Sequence, residues 1–306
     1  MPEFYLQIFA DPILRGTIGF ALGAVTGSFL NVCASRIPNG LSIIRPASRC
    51  PNCNDGIAWK NNIPIVSWLF LKGKSKCCDY RIPLRYFVLE FLTAVLFAFF
   101  FVSFGNINDY HYLLTSLIFI PIIMVVIVID LETMTIPDRF SIGGAMVGLI
   151  LSFLMPALHG FSNEPLFLER VSALLASLLG MLISSSILYW IGAIAERLMR
   201  REALGQGDVK LLGFVGAFCG WQGGLFVIFG GAIVGTVLLI PVMIISKFAS
   251  RKDDSDHGNG IGLGMEVPFG PFLGIASIFY FLGLREFVED WFETSFADFI
   301  VFFSGL

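Results

Sequence analysis

The stretch Tyr112-Leu-Leu-Thr-Ser-Leu-Ile-Phe-Ile-Pro-Ile-Ile-Met-Val-Val-Ile-Val-Ile129 carries no charged side chain and ends abruptly on Asp130. At a rise of about 1.5 Å per residue, a helix of this length covers nearly the ~30 Å hydrocarbon core of a bilayer. Apolar windows of similar length recur at about 16–35, 86–104, 141–158, 171–192 and 269–284. Another, at about 211–245, is too long for one crossing, and Gly220-Trp-Gln-Gly-Gly224 is the natural place for it to break. One such window fits the buried helix of a soluble protein, but seven do not. The reading is an all-α, polytopic integral membrane protein of about eight transmembrane helices, with a cytoplasmic Cys-containing loop domain.

Composition agrees. Of 306 residues, 56% are hydrophobic and 14% charged, 32 are Phe, and the mean hydropathy is +0.80. These values lie well outside those of an average soluble domain. The first window lacks the basic flank of a signal peptide, since residues 1–14 hold Glu3 and Asp11 but no Lys or Arg, so it is expected to persist as a span. With the N-terminus outside and eight crossings, the loops 36–85, 131–140, 193–210 and 246–268 share one side and hold 17 of the 20 basic residues. The positive-inside rule makes that side cytoplasmic. Lys72, Lys74 and Lys76 then face lipid headgroups, and no nucleic-acid partner is expected. The expected organisation is a first helix within 1–35, a cytoplasmic loop domain at 36–85, and a membrane domain at 86–306. A second loop, Lys247 to Glu266, reads as a flexible connector from its charges and glycines.

The same topology puts Asp130 and Asp208 at similar depth on the cytoplasmic side, although 78 residues separate them in sequence. Ionisable groups at membrane depth are costly and mark functional sites. Two carboxyls held close share one proton, which suits one to activate water and the other to protonate a carbonyl. Gly205 and Gly207 allow an extended chain to approach beside Asp208, and Ile136-Pro137 interrupts helical continuation after Asp130. Two other readings fit the residues equally well: an ion-coupled transporter with paired acids, or plain helix capping by Asp208 and Asp138.

Several further motifs surround these acids. In order they are Gly27-Ser28-Phe29-Leu30-Asn31-Val32, Arg36-x-Pro38, Cys50-x-x-Cys53, Asn62-Ile63-Pro64, Ile136-Pro137-Asp138, Gly205-x-Gly207-Asp208-x-Lys210 and Pro268-Phe-Gly-Pro-Phe272. Together, from about residue 20 to residue 275, they resemble the bacterial type IV prepilin peptidases. The resemblance implies an aspartic endopeptidase of the bacterial inner membrane, acting at its cytoplasmic face. Its substrates would be type IV prepilins and type II secretion pseudopilins, whose basic leader it removes. In bifunctional members the new N-terminal residue is then methylated with S-adenosylmethionine; a peptidase without that second activity is the alternative. Asp130 and Asp208 match the catalytic pair, with Asp138, Gly205, Gly207 and Lys210 in support.

Glu90, one turn into the second span, is another costly acid and a supporting site residue: a pairing with Arg85 or Arg36 is expected ahead of organising the loop or contacting the substrate amine. In a cytoplasmic loop, cysteine pairs point to zinc or redox work before a disulfide. The family pattern expects the second pair at 75 and 78, whereas this chain has Ser75, Cys77 and Cys78. Cys50, Cys53, Cys78 and, by a local shift of the loop, Cys77 are therefore the expected ligands of a zinc ion that folds the loop. Cys33 and Cys219 read as small core residues, and His111, His159 and His257 form no site. Any binding site for S-adenosylmethionine must use this loop and nearby helix ends, because no Rossmann-like pattern exists. No residue is assigned to it, and oligomeric state is not legible.

Overall fold

The computed structural model describes residues 11–104, 110–162, 165–200, 204–250 and 267–304. The Arg251–Glu266 part of the second loop, with His257, lies outside the described residues. Nine α-helices account for nearly all regular structure among the described residues, which hold no β-strand beyond two isolated bridges. They are α1 (Pro12–Arg36), α2 (Val66–Phe70), α3 (Leu84–Phe104), α4 (Tyr110–Thr133), α5 (Asp138–Leu154), α6 (Leu166–Met199), α7 (Gln206–Ser250), α8 (Gly270–Phe279) and α9 (Arg285–Ser304).

Among the described residues, six helical stretches are long and apolar enough to cross a membrane, which makes the chain a multi-pass membrane protein. The expected number of about eight differs for two physical reasons. Helix α5 has only 17 residues, a marginal length for a crossing. The long helix α7 counts once although it breaks where the glycines predict, at Gly220, whose φ of 69° and ψ of −178° interrupt the helical path. A φ in this range is open to glycine at little cost. Helices α8 and α9 join through a π-turn at Tyr280–Leu284 into one span-length stretch.

The chain forms two compact units, Met1–Ile129 and Asp130–Leu306. In the first, α1 and α3 run antiparallel with their backbones nearly touching. A Cβ on Gly19, Gly23 or Gly27 would lie 2.8 Å from the Phe97 carbonyl oxygen, 2.6 Å from that of Thr93, or 2.7 Å from the Glu90 Cα. Small residues four apart on one face allow this approach, and in lipid such close van der Waals packing is a main source of helix association. The loop then folds back onto the pair. Trp68 of α2 packs against Phe87 at 5.0 Å between ring centres, Ile65 joins Ala24 and Ala94, and Asn31 donates from Nδ2 to the Tyr86 carbonyl at 3.1 Å.

The second unit uses the same device. Gly180 of α6 meets Gly216 of α7 backbone to backbone, the Ser177 hydroxyl donates to the Ala217 carbonyl at 2.7 Å, and Ser184 fills the space beside Gly224. Gly144 and Gly148 of α5 lie under the rings of Phe214 and Phe218. Near the break in α7, the Tyr280 hydroxyl reaches the Cys219 carbonyl at 3.2 Å and Glu289 at 3.1 Å, and Arg285 pairs with Glu289 at 2.9 Å. His159 is taken up by Ser152 at 2.9 Å, a structural contact. Cys33 and Cys219 are buried without a disulfide.

Replacing Gly23 by Val forces α1 away from α3. The expected cost is about 1–3 kcal/mol, seen as a lower thermal midpoint of the detergent-solubilised protein. An unchanged midpoint would contradict this packing.

Candidate functional site

Asp130 stands three residues before the last residue of α4, and the helix stops there for a visible reason. Met134 adopts the left-handed conformation (φ 51°), its N–H closing on the Asp130 carbonyl at 2.9 Å. This is the usual single-bond helix ending, here without the usual glycine. The extended residues before Pro137 then lead into α5, whose first turn holds Asp138. Asp208 lies in the first turn of α7, its N–H bonded to the Gly205 carbonyl at 3.2 Å.

Both acids are buried, with Asp130 only 4% and Asp208 7% exposed. They lie close enough to act on each other electrostatically. Three groups enclose them. The Gly270 N–H, at the start of α8, faces the Asp130 carboxyl, and a Cβ on Gly270 would sit 2.6 Å from Asp130 Oδ2. A Cβ on Gly205 would sit 3.3 Å from Asp208 Oδ2. Ile136 bridges the two sides: a Cβ on Gly207 would meet its Cβ at 3.1 Å, and one on Gly270 its Cδ1 at 3.1 Å. The helix starts of α7 and α8 carry partial positive charge near these acids, and at α8 the Gly270 N–H is the amide that faces Asp130. Asp130 Oδ2 is nevertheless buried with no hydrogen-bond partner. A buried carboxyl oxygen without a partner, next to a second buried carboxyl, is a candidate place for chemistry.

Asp138 and Lys210, 72 residues apart, form an ion pair with Nζ 2.7 Å from Oδ1. Pro137 occupies the cap position of α5, and Asp138 serves Lys210. The pair ties the start of α5 to the first turn of α7, which carries Asp208.

Glu90 differs from expectation. Its partners are the Ile65 N–H, 2.7 Å from Oε2, and the side chains of Ser28 and Asn31, rather than an arginine. The reason lies in the loop: Ile65 has a φ of 63°, strained for a β-branched residue, and its amide is turned into the protein. Glu90 receives that amide and fixes the loop to α1 and α3.

The four cysteines of the loop converge. Their sulfurs all lie within 4.8 Å of one another, with Cys50–Cys78 at 3.6 Å, Cys53–Cys77 at 3.1 Å and Cys77–Cys78 at 3.9 Å. A tetrahedron with Zn–S bonds of about 2.3 Å has edges of about 3.8 Å. Two turns of the same shape build the cluster. The bridges Arg49–Gly56 and Lys74–Arg81, the amide bonds Cys50 to Asp55 and Ser75 to Tyr80, and the left-handed residues Asn54 and Asp79 correspond at a constant offset of 25 residues. Under this correspondence Cys53 matches Cys78, Ser75 takes the place of Cys50, and Cys77 that of Asn52. No shift of the loop is needed for Cys77 to reach the cluster. Ser75, buried, hydrogen-bonds Cys78 at 3.3 Å and accepts the Tyr80 N–H at 3.1 Å.

The thiols are already polarised. The amides of Cys53 and Asn52 lower Cys50 to about 6, and the Ser75 hydroxyl, then Asn52, lowers Cys78. At Cys53 the Asp55 amide acts downward, but Cys77, burial and the other thiols push it up to about 12.

Gly270 and Ile136 stand within sequence motifs, but the sequence gives neither a place beside the acids. Their signal was the spacing of Pro268-Phe-Gly-Pro-Phe272 and Ile136-Pro137, which shows a constraint but not what is constrained.

Two buried, mutually interacting carboxyls among membrane helices form a candidate site for intramembrane aspartic chemistry. The comparisons with known proteins narrow that class of chemistry. Residues 21–104 match the bacterial peptidase A24 N-terminal domain and residues 117–240 the type IV leader peptidase family. A prepilin leader peptidase/N-methyltransferase of Klebsiella pneumoniae is 34% identical over 229 residues, covering 72% of this chain and 91% of that protein. The one of Myxococcus xanthus is 34% identical over 255 residues, covering 82% and 71%, and that of Bacillus subtilis 30% over 266 residues, covering 87% and 93%. This chain belongs to the type IV leader peptidase family. No solved structure matches it.

The Asp138–Lys210 pair is 59% and 39% exposed at its two ends, so solvent weakens it. A double-mutant cycle with Asp138→Asn and Lys210→Met is expected to give a coupling of at most about 1 kcal/mol in stability. A larger coupling would show that the pair is shielded from water.

Proposed function

We propose that this chain is an aspartic endopeptidase that removes the leader from type IV prepilins and type II secretion pseudopilins at the cytoplasmic face of the bacterial inner membrane. The observation that carries the reading is the meeting of Asp130 and Asp208, both buried, with Asp130 Oδ2 unpartnered. The names of the relatives support the substrate, and the excess of basic residues in the loops on one side supports the orientation.

The chemistry follows from two acids sharing one proton. The charged carboxyl takes a proton from water as its oxygen bonds to the peptide carbonyl carbon, and the protonated carboxyl gives its proton to the carbonyl oxygen. Collapse of the tetrahedral intermediate breaks the C–N bond, and the leaving nitrogen takes up a proton from the acid that removed it from water. Asp138 and Lys210 hold the helix starts in register, and Gly205, Gly207 and Gly270 keep backbone close to the acids. A transporter would need the same acids, but the family and the named relatives favour peptide cleavage over it.

The second activity is N-methylation of the new amino terminus, supported by the relatives' names. S-adenosylmethionine supplies an electrophilic methyl group in such a reaction. Among the described residues of the N-terminal unit the buried carboxylate is Glu90, already engaged with Ile65, Ser28 and Asn31, and no glycine-rich nucleoside cradle is formed. These residues do not fit the donor as they stand, and no step is derived through it.

Cys50, Cys53, Cys77 and Cys78 fit a closed tetrathiolate zinc site whose role is to fold the loop. Such a site has no open position for catalysis.

Asp130→Asn and Asp208→Asn are each expected to slow leader removal by about 10²–10⁴-fold. The mass of a co-expressed pilin's N-terminus reads both cleavage and the added methyl. Full processing by both variants would overturn the peptidase reading. Purified protein is expected to hold about one zinc per chain by the tetrathiolate geometry. Cys50→Ser should lower that content, and Ser75→Cys combined with Cys77→Ser should retain it. Equal metal in wild type and Cys50→Ser would exclude the site.

A further inference from the structure

The two turns that build the thiol cluster have traded roles at two positions. In the first turn Cys50 supplies a buried sulfur, which the Cys53 and Asn52 amides hold, and the Asn52 side chain donates to Cys78 Sγ at 3.6 Å. At the constant offset of 25 residues, the second turn puts Ser75 where Cys50 stands and Cys77 where Asn52 stands. The sulfur has moved to the position of a donor, and a hydroxyl fills the position of a sulfur. Ser75 Oγ lies 3.3 Å from Cys78 Sγ and accepts the Tyr80 N–H at 3.1 Å. The donors of this turn therefore gather on Ser75 and Cys78.

The consequence falls on Cys77. Each of the other three sulfurs has hydrogen-bond donors around it: Cys50 as above, Cys53 from the Asp55 amide, and Cys78 from Ser75, Asn52 and the Tyr80 amide. Among the described residues the neighbours of Cys77 Sγ are themselves thiols, Cys53 at 3.1 Å and Cys78 at 3.9 Å, and its side chain is exposed. Around a bound metal all of these sulfurs are thiolates. Donors that face a ligand fix its orientation and hold its lone pairs, and such partners are worth about 10–100-fold in metal affinity.

We propose that Cys77 is the releasable arm of the loop's metal site, the ligand that detaches while Cys50, Cys53 and Cys78 hold, and hence the place where a thiol-directed electrophile modifies this loop. The inference deepens the tetrathiolate reading and rests on it. A cysteine at position 75 would sit within the donors of its turn, whereas a cysteine at position 77 reaches the same metal from outside them.

The test uses the full-length, zinc-loaded enzyme in detergent and limiting N-ethylmaleimide. A sulfur that leaves the metal forms an S–C bond to the maleimide alkene, and the adjacent ring carbon takes a proton from water. Peptide masses locate the adduct, and a chromogenic chelator follows release of zinc. Cys77 is expected to react at least about tenfold faster than Cys50, Cys53 or Cys78, the lower end of what such hydrogen bonds are worth, with zinc leaving in the slower phase. Ser75→Cys combined with Cys77→Ser returns the sulfur to the position that the donors surround, and should abolish the fast phase while zinc stays bound. Equal rates at all four cysteines, a fast phase at one of the other three, or a fast phase that survives in the double variant overturns the proposal. Wild type that binds no zinc would overturn the tetrathiolate reading and this inference with it, so the two failures are distinguishable.

Discussion

A carboxyl group buried in a membrane protein needs polar partners that the hydrocarbon does not supply, and helix ends are where such partners exist. This constraint organises the whole second unit. Asp130 lies where α4 ends, Asp208 in the first turn of α7, and the start of α8 presents the Gly270 amide. Bringing these ends together demands close helix packing, and contacts such as Gly180 on Gly216 provide it. The acids remain incompletely satisfied, and Asp130 Oδ2 keeps no partner.

The first unit solves a different problem with the same materials. A loop rich in charge and proline has little apolar surface of its own, so it is fixed at two points. One is Glu90, reaching from α3 to the strained Ile65 amide, with Trp68 packed on Phe87 beside it. The other is the thiolate cluster, built from two turns of the same shape. Replacement of the expected cysteine by Ser75 keeps the turn intact, because the turn depends on backbone bonds to Tyr80 and not on the side chain. Cys77, at the position matching Asn52, points a sulfur into the same space.

Much of this was readable in the chain. The apolar windows located the helices, and Gly220 was marked as the break by its neighbours Gly223 and Gly224. Asp130 and Asp208 stood out because acids are rare beside such windows. Glu90 stands out for the same reason, but its partner is not the arginine that the sequence suggests. Sequence suggests charge pairing by proximity along the chain, whereas the bond made is to a backbone amide whose orientation depends on the φ of Ile65. The number of crossings was also less certain than the helices themselves, since the 17 residues of α5 and the joined halves of α7 lie at the limit where length alone decides.

By itself the sequence determined the membrane character, the helix positions, the two acids and the four thiols, because each is set by composition or by a local rule of spacing. Tertiary structure decided which groups meet. Lys210 finds Asp138 across 72 residues, Gly270 comes to Asp130, and Ile136 fits between two glycines from distant segments. Such contacts depend on helix packing angles and on which faces adjoin, and those follow from close fit between backbones. No single stretch of chain encodes that fit, and so the neighbours of the two buried acids emerge only in three dimensions.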